Sequence, residues 1–538
     1  MRQWLDWFGH RSRSRRFVWQ VVIGIIVGGI ITAAILQRVR GPGVMFNGMT
    51  LTSPEPDDPA PLPGVSPKQR VEAPSLEAWR QWLDDPSRTL ADVLDHTPYA
   101  AKAEALTDEQ FAGLMAESRF TEPQRQLAVA QWQAAGQNPD NVKRILAPWT
   151  GADPPMRYAH YALAALMDAD QRLRSAAEAY EAEGKFPEAT TSRQRAVERY
   201  LWLGDDEALA RLSADEAYHD VVDPYVRFEL AGHQHHWLGV WQAIPPLMLE
   251  GYVLGPLLLT LFSGMFWFAY LCVAGEVRSL RSGRFGLCVL GVIMGVISIG
   301  VTLFFIAFQE HAWGLTESTE MKQGLMFCLA GVGLREELAK LLCFAPLAPI
   351  LIKRRNALEM MIVAGCVGLG FALEENIQYF QSSFGGDAAG RFITANFFHI
   401  AATALTGLAL CHFIHRPAER LGDFLMIFFG VVVAHGLYDA ALIVDAFKEY
   451  SIASAIIYVL LAYQFFHEFS RLRSGYRPPV ALTAIFAIGF ATTFAAAFNY
   501  HAYFFGVSYT ATSMIPTAAE AALISFVFIR QVPEQWID

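Results

Sequence analysis

Residues 333–342 of the chain read GLREELAKLL. Three ionisable side chains in this stretch, Glu336, Glu337 and Lys340, interrupt a segment, residues 325–352, whose other side chains are nearly all apolar. The hydrocarbon core of a bilayer is about 30 Å thick and about 20 helical residues cross it, so the segment is long enough to span a membrane. The sequence therefore predicts charged side chains within a membrane span, where they are costly.

The whole chain has the composition of an integral membrane protein. Of its 538 residues, 53% are hydrophobic and only 17% are charged, and the mean hydropathy is positive. A soluble globular domain is less apolar. About ten windows are long and apolar enough for a membrane helix, the first at residues 17–36 and the others after Pro245. We therefore predict an all-α fold, in which a polytopic bundle of about ten spans carries an extracytoplasmic all-helical domain.

Basic residues orient the predicted spans, because Lys and Arg in short loops remain preferentially on the cytoplasmic side. The N-terminus is basic, and counting onward from it places four later basic clusters on the same side, at residues 278–284, 353–355, 416–420 and 471–477. The predicted outer loops are poorer in basic residues, with Lys322, Arg391 and Lys448 as exceptions. We expect the N-terminus to be cytoplasmic.

This orientation divides the chain into four predicted parts. Residues 1–43 form a cytoplasmic basic N-terminus with an anchor helix, residues 44–75 a Pro-rich linker, residues 76–242 the extracytoplasmic helical domain, and residues 243–538 a membrane domain of about nine spans. The first span also resembles a signal peptide. Its apolar run is longer than the usual 7–15 residues or so and no small-x-small cleavage site follows, which favours an uncleaved anchor. All six cysteines lie in or beside predicted spans, so no disulfide is expected in the helical domain.

The extracytoplasmic domain has the pattern of stacked helical hairpins. Small and apolar residues recur at three- and four-residue spacing, and Gly184 and Gly204 mark predicted turns. The domain is acidic, which disfavours nucleic acid or anionic lipid as a partner. A peptide or protein ligand and a helical spacer without a ligand both fit this pattern. At its end, His233, His235 and His236 suit either a metal site or, beside two tryptophans, an interfacial aromatic belt, which the tryptophans favour.

Polar residues recur in four successive predicted spans of the membrane domain. Beside the GLREELAKLL stretch, they are Glu374, Glu375 and Asn376 in GFALEENIQYF, His399 in NFFHIAATALTG, and His435 with Asp439 in VVVAHGLYDA. The alternating topology places all four patches between the middle and the outer half of the bilayer, where they can meet in one cavity.

Helical spacing arranges each polar patch on one face. Lys340 follows Glu336 by four residues and Glu337 by three, so it can neutralise one of these carboxylates. His435 and Asp439 are also one turn apart. One interpretation is that these groups pair with one another and merely hold the helices together. Two glutamate pairs and two histidines on neighbouring helices exceed what that role needs and favour a functional site.

At these residues the chain resembles the PrsW family of bacterial intramembrane proteases, which is related more distantly to CAAX-processing membrane proteases. The family pattern is EExxK, an F-x-x-x-E-N element, a helix with a histidine, and a helix with a histidine followed four residues later by Asp or Asn. The matching residues occur in this order: Glu336, Glu337, Lys340, Phe371, Glu375, Asn376, His399, His435 and Asp439. The resemblance covers residues 321–445 or so and implies a multi-pass protein of the bacterial cytoplasmic membrane.

Peptide hydrolysis needs an activated water, a stabiliser of the oxyanion and a proton donor for the leaving amine. No nucleophile motif or HExxH occurs in the spans, so one hypothesis makes Glu336 or Glu337 a general base acting directly on water. Another makes Glu336, Glu375, His399 and His435 zinc ligands, since Glu and His are good ligands and zinc lowers the pKa of bound water to about 7. The nearby Lys340 competes for the same carboxylates and favours the metal-free mechanism.

The predicted function is therefore an intramembrane peptidase. The resemblance implies a membrane-anchored substrate, such as a single-span anti-sigma factor. A secondary transporter or proton-coupled channel also carries intramembrane Glu and His, but it usually shows related broken helices in two halves, and the sequence has no such symmetry. A sensor without catalytic activity, with the helical domain as its receptor part, is a further alternative.

Overall fold

The computed structural model describes residues 7, 9–40, 76–103, 105–318, 320–448, 452–473 and 478–532. All regular structure in these residues is helical, which confirms the predicted all-α class. The chain forms two compact units: residues 49–239, called here the helical unit, and residues 1–48 with 240–538, called the membrane unit. The Pro-rich linker predicted at residues 44–75 lies outside the described residues.

Helix α1 (Arg15–Arg40) belongs to the membrane unit. The next helices, in the helical unit, are α2 (Leu76–Asp84), α3 (Leu90–Lys102), α4 (Asp108–Glu117), α5 (Glu122–Ala134), α6 (Pro139–Thr150), α7 (Ala159–Ala169), α8 (Leu173–Gly184), α9 (Thr190–Leu203), α10 (Asp206–Ser213) and α11 (Pro224–His233). They are followed by α12 (Trp237–Glu250), α13 (Leu254–Ala274), α14 (Gly283–Trp313), α15 (Met321–Met326), α16 (Leu334–Phe344), α17 (Ala348–Arg354), α18 (Ala357–Ser382), α19 (Ala388–Ile393), α20 (Ala395–His415), α21 (Pro417–Ile443), α22 (Asp445–Lys448), α23 (Ile452–Leu472), α24 (Leu482–Phe505) and α25 (Val507–Gln531).

Threonines begin two helices of the helical unit, and glycines lie at the ends of two others. Thr89 and Thr107 cap α3 and α4, and in each case the side chain three residues later returns a hydrogen bond to the threonine backbone. Gly204 lies in the left-handed region with φ 61° and ends α9, and α8 ends at Gly184, so both glycines lie at helix ends. These signals were readable in the sequence.

Eight helices among the described residues are long and apolar enough to cross a membrane. They are α1, α13, α14, α18, the combined α19 and α20 (Ala388–His415), α21, α23 and α24. The predicted count of about ten spans is not confirmed. Two predicted spans are not among the eight: residues 325–352, and α25, which contains Pro516 and Glu520.

Residues 325–352 form a series of short helices. Helix α15 passes into a π-helical segment (Phe327–Gly333), then α16, a 3₁₀ turn (Ala345–Leu347) and α17. The backbone touches α21 here, since a Cβ on Gly333 would lie 2.5 Å from the carbonyl oxygen of Val432. Only glycine allows that approach. π-Helical segments occur often at functional sites, and this one leads directly into the GLREELAKLL stretch.

Helices α18 and α20 form the centre of the membrane unit and are its most buried spans. They approach closely at Gly368, where a Cβ would lie 2.1 Å from the carbonyl oxygen of His399. The close packing fixes the height of His399 relative to the polar residues of α18.

Two smaller expectations concern the cysteines and the histidine cluster. All six cysteines are free and buried, and all lie in the membrane unit. His233 Nδ1 lies 2.8 Å from Asp206 Oδ1 within the helical unit, and the His235 ring packs at 5.6 Å from that of Trp237. The interfacial aromatic belt stays a prediction.

Candidate functional site

The charged residues of α16 form a compact pair of contacts. Lys340 Nζ lies 2.8 Å from Glu337 Oε1 and 3.4 Å from Glu336 Oε2. The spacing of three and four residues brings all three side chains to one face. The side chains of Lys340 and Glu337 are fully buried, whereas that of Glu336 keeps 13% of its surface exposed. Of the two glutamates, Glu336 is therefore the one that water and substrate can reach.

His435 on α21 joins this cluster from the opposite side. Its Nδ1 lies 2.9 Å from Glu337 Oε1. Its Nε2 lies 3.4 Å from Asp439 Oδ2, one turn further along α21, and 3.7 Å from Glu336 Oε2. Three carboxylates thus surround one imidazole, and both of its ring nitrogens face carboxylate oxygens.

His399 on α20 connects Lys340 to Glu375 on α18. Lys340 Nζ lies 2.8 Å from His399 Nδ1, and His399 Nε2 lies 3.0 Å from Glu375 Oε2. A lysine ammonium has only hydrogen-bond donors, so Nδ1 accepts. The proton of a neutral His399 is then on Nε2 and is donated to Glu375. Lys340 and Glu375 together define the tautomer and the orientation of this ring.

Aromatic rings enclose the cluster. Lys340 Nζ lies 3.8 Å from the ring centroid of Phe371, whose ring is 5.0 Å from that of His399. Phe398 packs 5.1 Å from His435. Such walls exclude water, and charge interactions are stronger in a medium of low dielectric constant. The site is thus a small polar cluster enclosed by apolar side chains.

The structure adds Arg391 to the site, which sequence reasoning missed. Arg391 Nη2 lies 2.9 Å from Glu375 Oε2, and its Nε donates to Asn376 Oδ1 at 2.6 Å. Asn376 in turn donates to Asn396, and Asn396 donates to Ser263, each at 2.7 Å. The only signal in the sequence was that Arg391 is a basic residue in a predicted outer loop.

Seven of the eight predicted site residues form one network of contacts: Glu336, Glu337, Lys340, Glu375, His399, His435 and Asp439. The eighth, Asn376, reaches it through Arg391. Glu374, beside Glu375 in the sequence, does not join: its Oε2 accepts a hydrogen bond of 2.8 Å from the hydroxyl of Tyr252. Adjacent glutamates on α18 therefore have separate partners.

Three of the four residues predicted as zinc ligands come together. Glu336, His399 and His435 each offer a ligand atom, and these atoms lie within 4.8 Å of one another. Glu375, the fourth, is not in this group and instead contacts His399 and Arg391. Two histidines and one carboxylate are a common donor set of catalytic zinc.

The residues around this donor set also fit a metal. Histidine ligands usually bond a carboxylate through the second ring nitrogen, as His435 does with Glu337. Among the described residues, Asp439 Oδ2 is buried without a hydrogen-bond donor, although it faces His435. Lys340 contacts His399 Nδ1, so a metal bound at that nitrogen requires Lys340 to withdraw from it.

A set of carboxylates, imidazoles and one ammonium, shared by four helices of a multi-pass membrane protein, has the residue types that a hydrolytic site in a membrane needs. Comparison with known families agrees with such a site. Residues 283–466 of the 538 match the model of the PrsW family intramembrane metalloproteases. The match confirms the resemblance found in the sequence, contains every predicted site residue, and supports a membrane peptidase. The chain matched no curated protein and no solved structure.

Proposed function

We propose that the membrane unit is an intramembrane peptidase that hydrolyses a peptide bond in or near the membrane segment of a protein substrate. The observation that carries the proposal is that Glu336, His399 and His435 meet: one ligand atom from each lies within 4.8 Å of the other two. These residues come from three helices, and His399 lies 63 positions after Glu336 and 36 positions before His435, so only the fold unites them. Their chemistry is that of water activation and proton transfer.

In the absence of a metal ion, Glu336 is the proposed general base. It is the more exposed of the two glutamates on α16, and its Oε2 faces both Lys340 and His435. Glu337 is completely buried, and its Oε1 receives both Lys340 and His435. We assign Glu337 the role of holding these two side chains in place.

The reaction then follows from the positions of these groups. The oxygen of a water molecule bonds to the scissile carbonyl carbon, and Glu336 takes the proton that the water loses. His435 donates a proton from Nε2 to the leaving nitrogen as the carbon–nitrogen bond breaks. The proton held by Glu336 returns to His435, which restores both side chains. Lys340 lies within 3.4 Å of Glu336 and stabilises the negative charge that develops on the oxygen of the scissile carbonyl.

A metal ion, if bound, would be held by Glu336, His399 and His435. A zinc ion supplies Lewis acidity and lowers the pKa of bound water to about 7. Glu375 contacts His399 Nε2, on the side of the ring opposite Lys340, and Arg391 pairs with Glu375, so these two residues orient His399 whether or not a metal is bound.

The substrate and setting are also proposals. We infer a membrane-anchored substrate, such as a single-span regulatory protein of the anti-sigma-factor kind, in a bacterial cytoplasmic membrane. Residues 44–242 are proposed to lie outside the cytoplasm, where the helical unit binds a peptide or protein ligand. These inferences rest on the family resemblance and on the basic clusters at residues 278–284 and 353–355.

The proposal is tested with purified protein in liposomes and a tagged single-span reporter. Glu336→Gln keeps the shape of the side chain and removes the base, so we expect cleavage to fall by about 100-fold or more. Glu337→Gln should also reduce cleavage, because Lys340 and His435 lose their shared acceptor. Both variants should still accumulate in the membrane.

Glu359→Gln is the matched control. Glu359 is a buried glutamate on α18 that pairs with Arg354 at 2.8 Å, outside the cluster. Its replacement should leave cleavage per folded molecule within about twofold. Unchanged cleavage in Glu336→Gln and Glu337→Gln would contradict the proposed function. Passage of ions or solutes through liposomes that contain the wild type, without cleavage, would indicate a transporter instead.

A further inference from the structure

Arg391 lies on α19, the short helix before the one that carries His399, and contacts three residues of α18. Its Nη2 lies 2.9 Å from Glu375 Oε2 and its Nε 2.6 Å from Asn376 Oδ1, while its guanidinium stacks 3.6 Å from the ring centroid of Tyr379. Its side chain is only 14% exposed. Charge, hydrogen bond and stacking thus fix this guanidinium in one orientation.

A directed chain of hydrogen bonds fixes the other side of Arg391. A guanidinium has donors only, so the atom of Asn376 that faces it is the amide oxygen. The amide nitrogen of Asn376 then donates to Asn396 Oδ1, and Asn396 Nδ2 donates to Ser263 Oγ. Both asparagines are completely buried. The chain connects α18 with α20 and α13, so Arg391 is anchored to three long helices.

The same carboxylate oxygen, Glu375 Oε2, forms an ion pair with Arg391 Nη2 at 2.9 Å and accepts a hydrogen bond from His399 Nε2 at 3.0 Å. The positive charge of Arg391 compensates the partly buried Glu375 and leaves this oxygen available as an acceptor. An acceptor at that point keeps the His399 proton on Nε2 and directs Nδ1 toward Lys340, 2.8 Å away. The orientation of His399 therefore depends on a residue that does not touch it.

We propose that Arg391 is a positioning residue of the hydrolytic site, which acts through Glu375 to fix the ring of His399. This inference rests on the proposed peptidase function. It adds a residue outside the four sequence motifs that carry the family resemblance. Because Arg391 contacts no group proposed to react, it should affect the rate of the chemical step and leave substrate binding nearly unchanged.

The test compares kcat and KM of purified variants on the single-span reporter. Arg391→Gln should lower kcat by about 10- to 100-fold with KM within about twofold. Arg391→Lys keeps a charge beside Glu375 but loses the planar contacts with Asn376 and Tyr379, so kcat should recover to within about fivefold of wild type. Recovery of kcat in Arg391→Lys would show that Arg391 acts through its charge beside Glu375 and not only through packing.

A double variant separates positioning from stability. Glu375→Gln alone should lower kcat as much as Arg391→Gln, and the two changes together should be no worse than either one, since both act through the same contact. Arg354→Gln is the control: it removes a different arginine–glutamate pair of α18, at Glu359, and should lower Tm without changing kcat. If Arg391→Gln does not accumulate, Arg391→Lys and Glu375→Gln still test the proposal.

The outcomes distinguish this inference from the function on which it rests. Wild-type kcat in both Arg391 variants, with Glu336→Gln inactive, would overturn the positioning role and leave the peptidase intact. Additive losses in the double variant would also overturn it. A wild type that does not cleave, or that cleaves as well as Glu336→Gln, would overturn the peptidase itself.

Discussion

The molecule contains two polar networks that differ in how completely their charges are paired. In the helical unit, Arg195 donates to both oxygens of Asp95 at 2.5 and 2.6 Å, and Arg199 donates to both oxygens of Asp168 at 2.8 and 2.7 Å. The hydroxyl of Tyr161 adds a third donor to Asp95. Each carboxylate has its own arginine in a planar two-bond contact, so both of its oxygens have a charged hydrogen-bond donor.

The membrane cluster is paired differently. Its single lysine is shared by two glutamates and a histidine, and Glu337 Oε2 and Asp439 Oδ2 are buried without a hydrogen-bond donor among the described residues. A network that serves stability alone leaves few such atoms, because each one costs free energy. Open acceptors, more than the number of charges, therefore distinguish the membrane cluster from the structural network of the helical unit.

The largest effect expected from this difference concerns metal. The open acceptors and the donor set of Glu336, His399 and His435 predict about one zinc per chain in the purified protein. Replacing His399 and His435 together by alanine should remove that metal and lower cleavage by about 1,000-fold. Elemental analysis of both proteins measures the metal directly, and strong chelation should stop wild-type cleavage until zinc is restored.

The opposite result has a definite meaning. Wild type that is free of metal, with cleavage insensitive to chelators, would show that Glu336 acts on water directly and that Lys340 takes the place of the cation. Glu359→Gln, which alters a buried carboxylate outside the cluster, should retain the metal and serves as the control for both measurements.

The sequence predicted the content of the site better than its connections. Spacing along each helix identified the pairs Glu336–Lys340 and His435–Asp439, because i and i+4 residues share a face. It could not show that Lys340 also contacts His399 or that Arg391 compensates Glu375, since both contacts depend on how helices pack. The predicted span at residues 325–352 failed as a single helix for the same reason: the π-helical segment is fixed by packing against α21.

A second prediction concerns the structural network of the helical unit. Replacing Arg195 by leucine leaves Asp95 without its two-bond partner, so the helical unit should lose about 2 kcal/mol of stability. Cleavage of the reporter per folded molecule should stay within about twofold. Thermal unfolding followed by limited proteolysis reports this unit, and Arg80→Leu, which removes an exposed pair with Glu117, should cost less than about 1 kcal/mol. Equal losses in both variants would show that the paired network contributes nothing special.

A third prediction concerns Asp439 in the membrane cluster, where a substitution should lower activity without lowering stability. Asp439→Asn is nearly isosteric and removes the charge of a carboxylate whose Oδ2 is buried without a hydrogen-bond donor, so Tm should stay the same or rise. Cleavage should fall about tenfold, because His435 loses the carboxylate 3.4 Å from its Nε2. A lower Tm with unchanged cleavage would place Asp439 among the structural groups and would remove the contrast between the two networks.

The smallest predicted effect is a pH dependence of the helical unit. Burial, and then the charge of Asp95, raises the pKa of Tyr161 above its usual value, and burial also raises the pKa of Tyr180. A tyrosine whose pKa is higher in the folded state adds no pH dependence below its unfolded pKa of about 10, and the stability it contributes is lost as pH rises above that value. The helical unit should therefore be equally stable from pH 7 to 9 and lose about 1.4 kcal/mol per buried tyrosine at about pH 11. In Tyr161→Phe, the melting temperature of this unit, again followed by limited proteolysis of heated samples, should fall less steeply above pH 10 than in wild type. Parallel slopes in the two proteins would mean that the alkaline loss originates elsewhere, whereas a difference localises it to the network around Asp95.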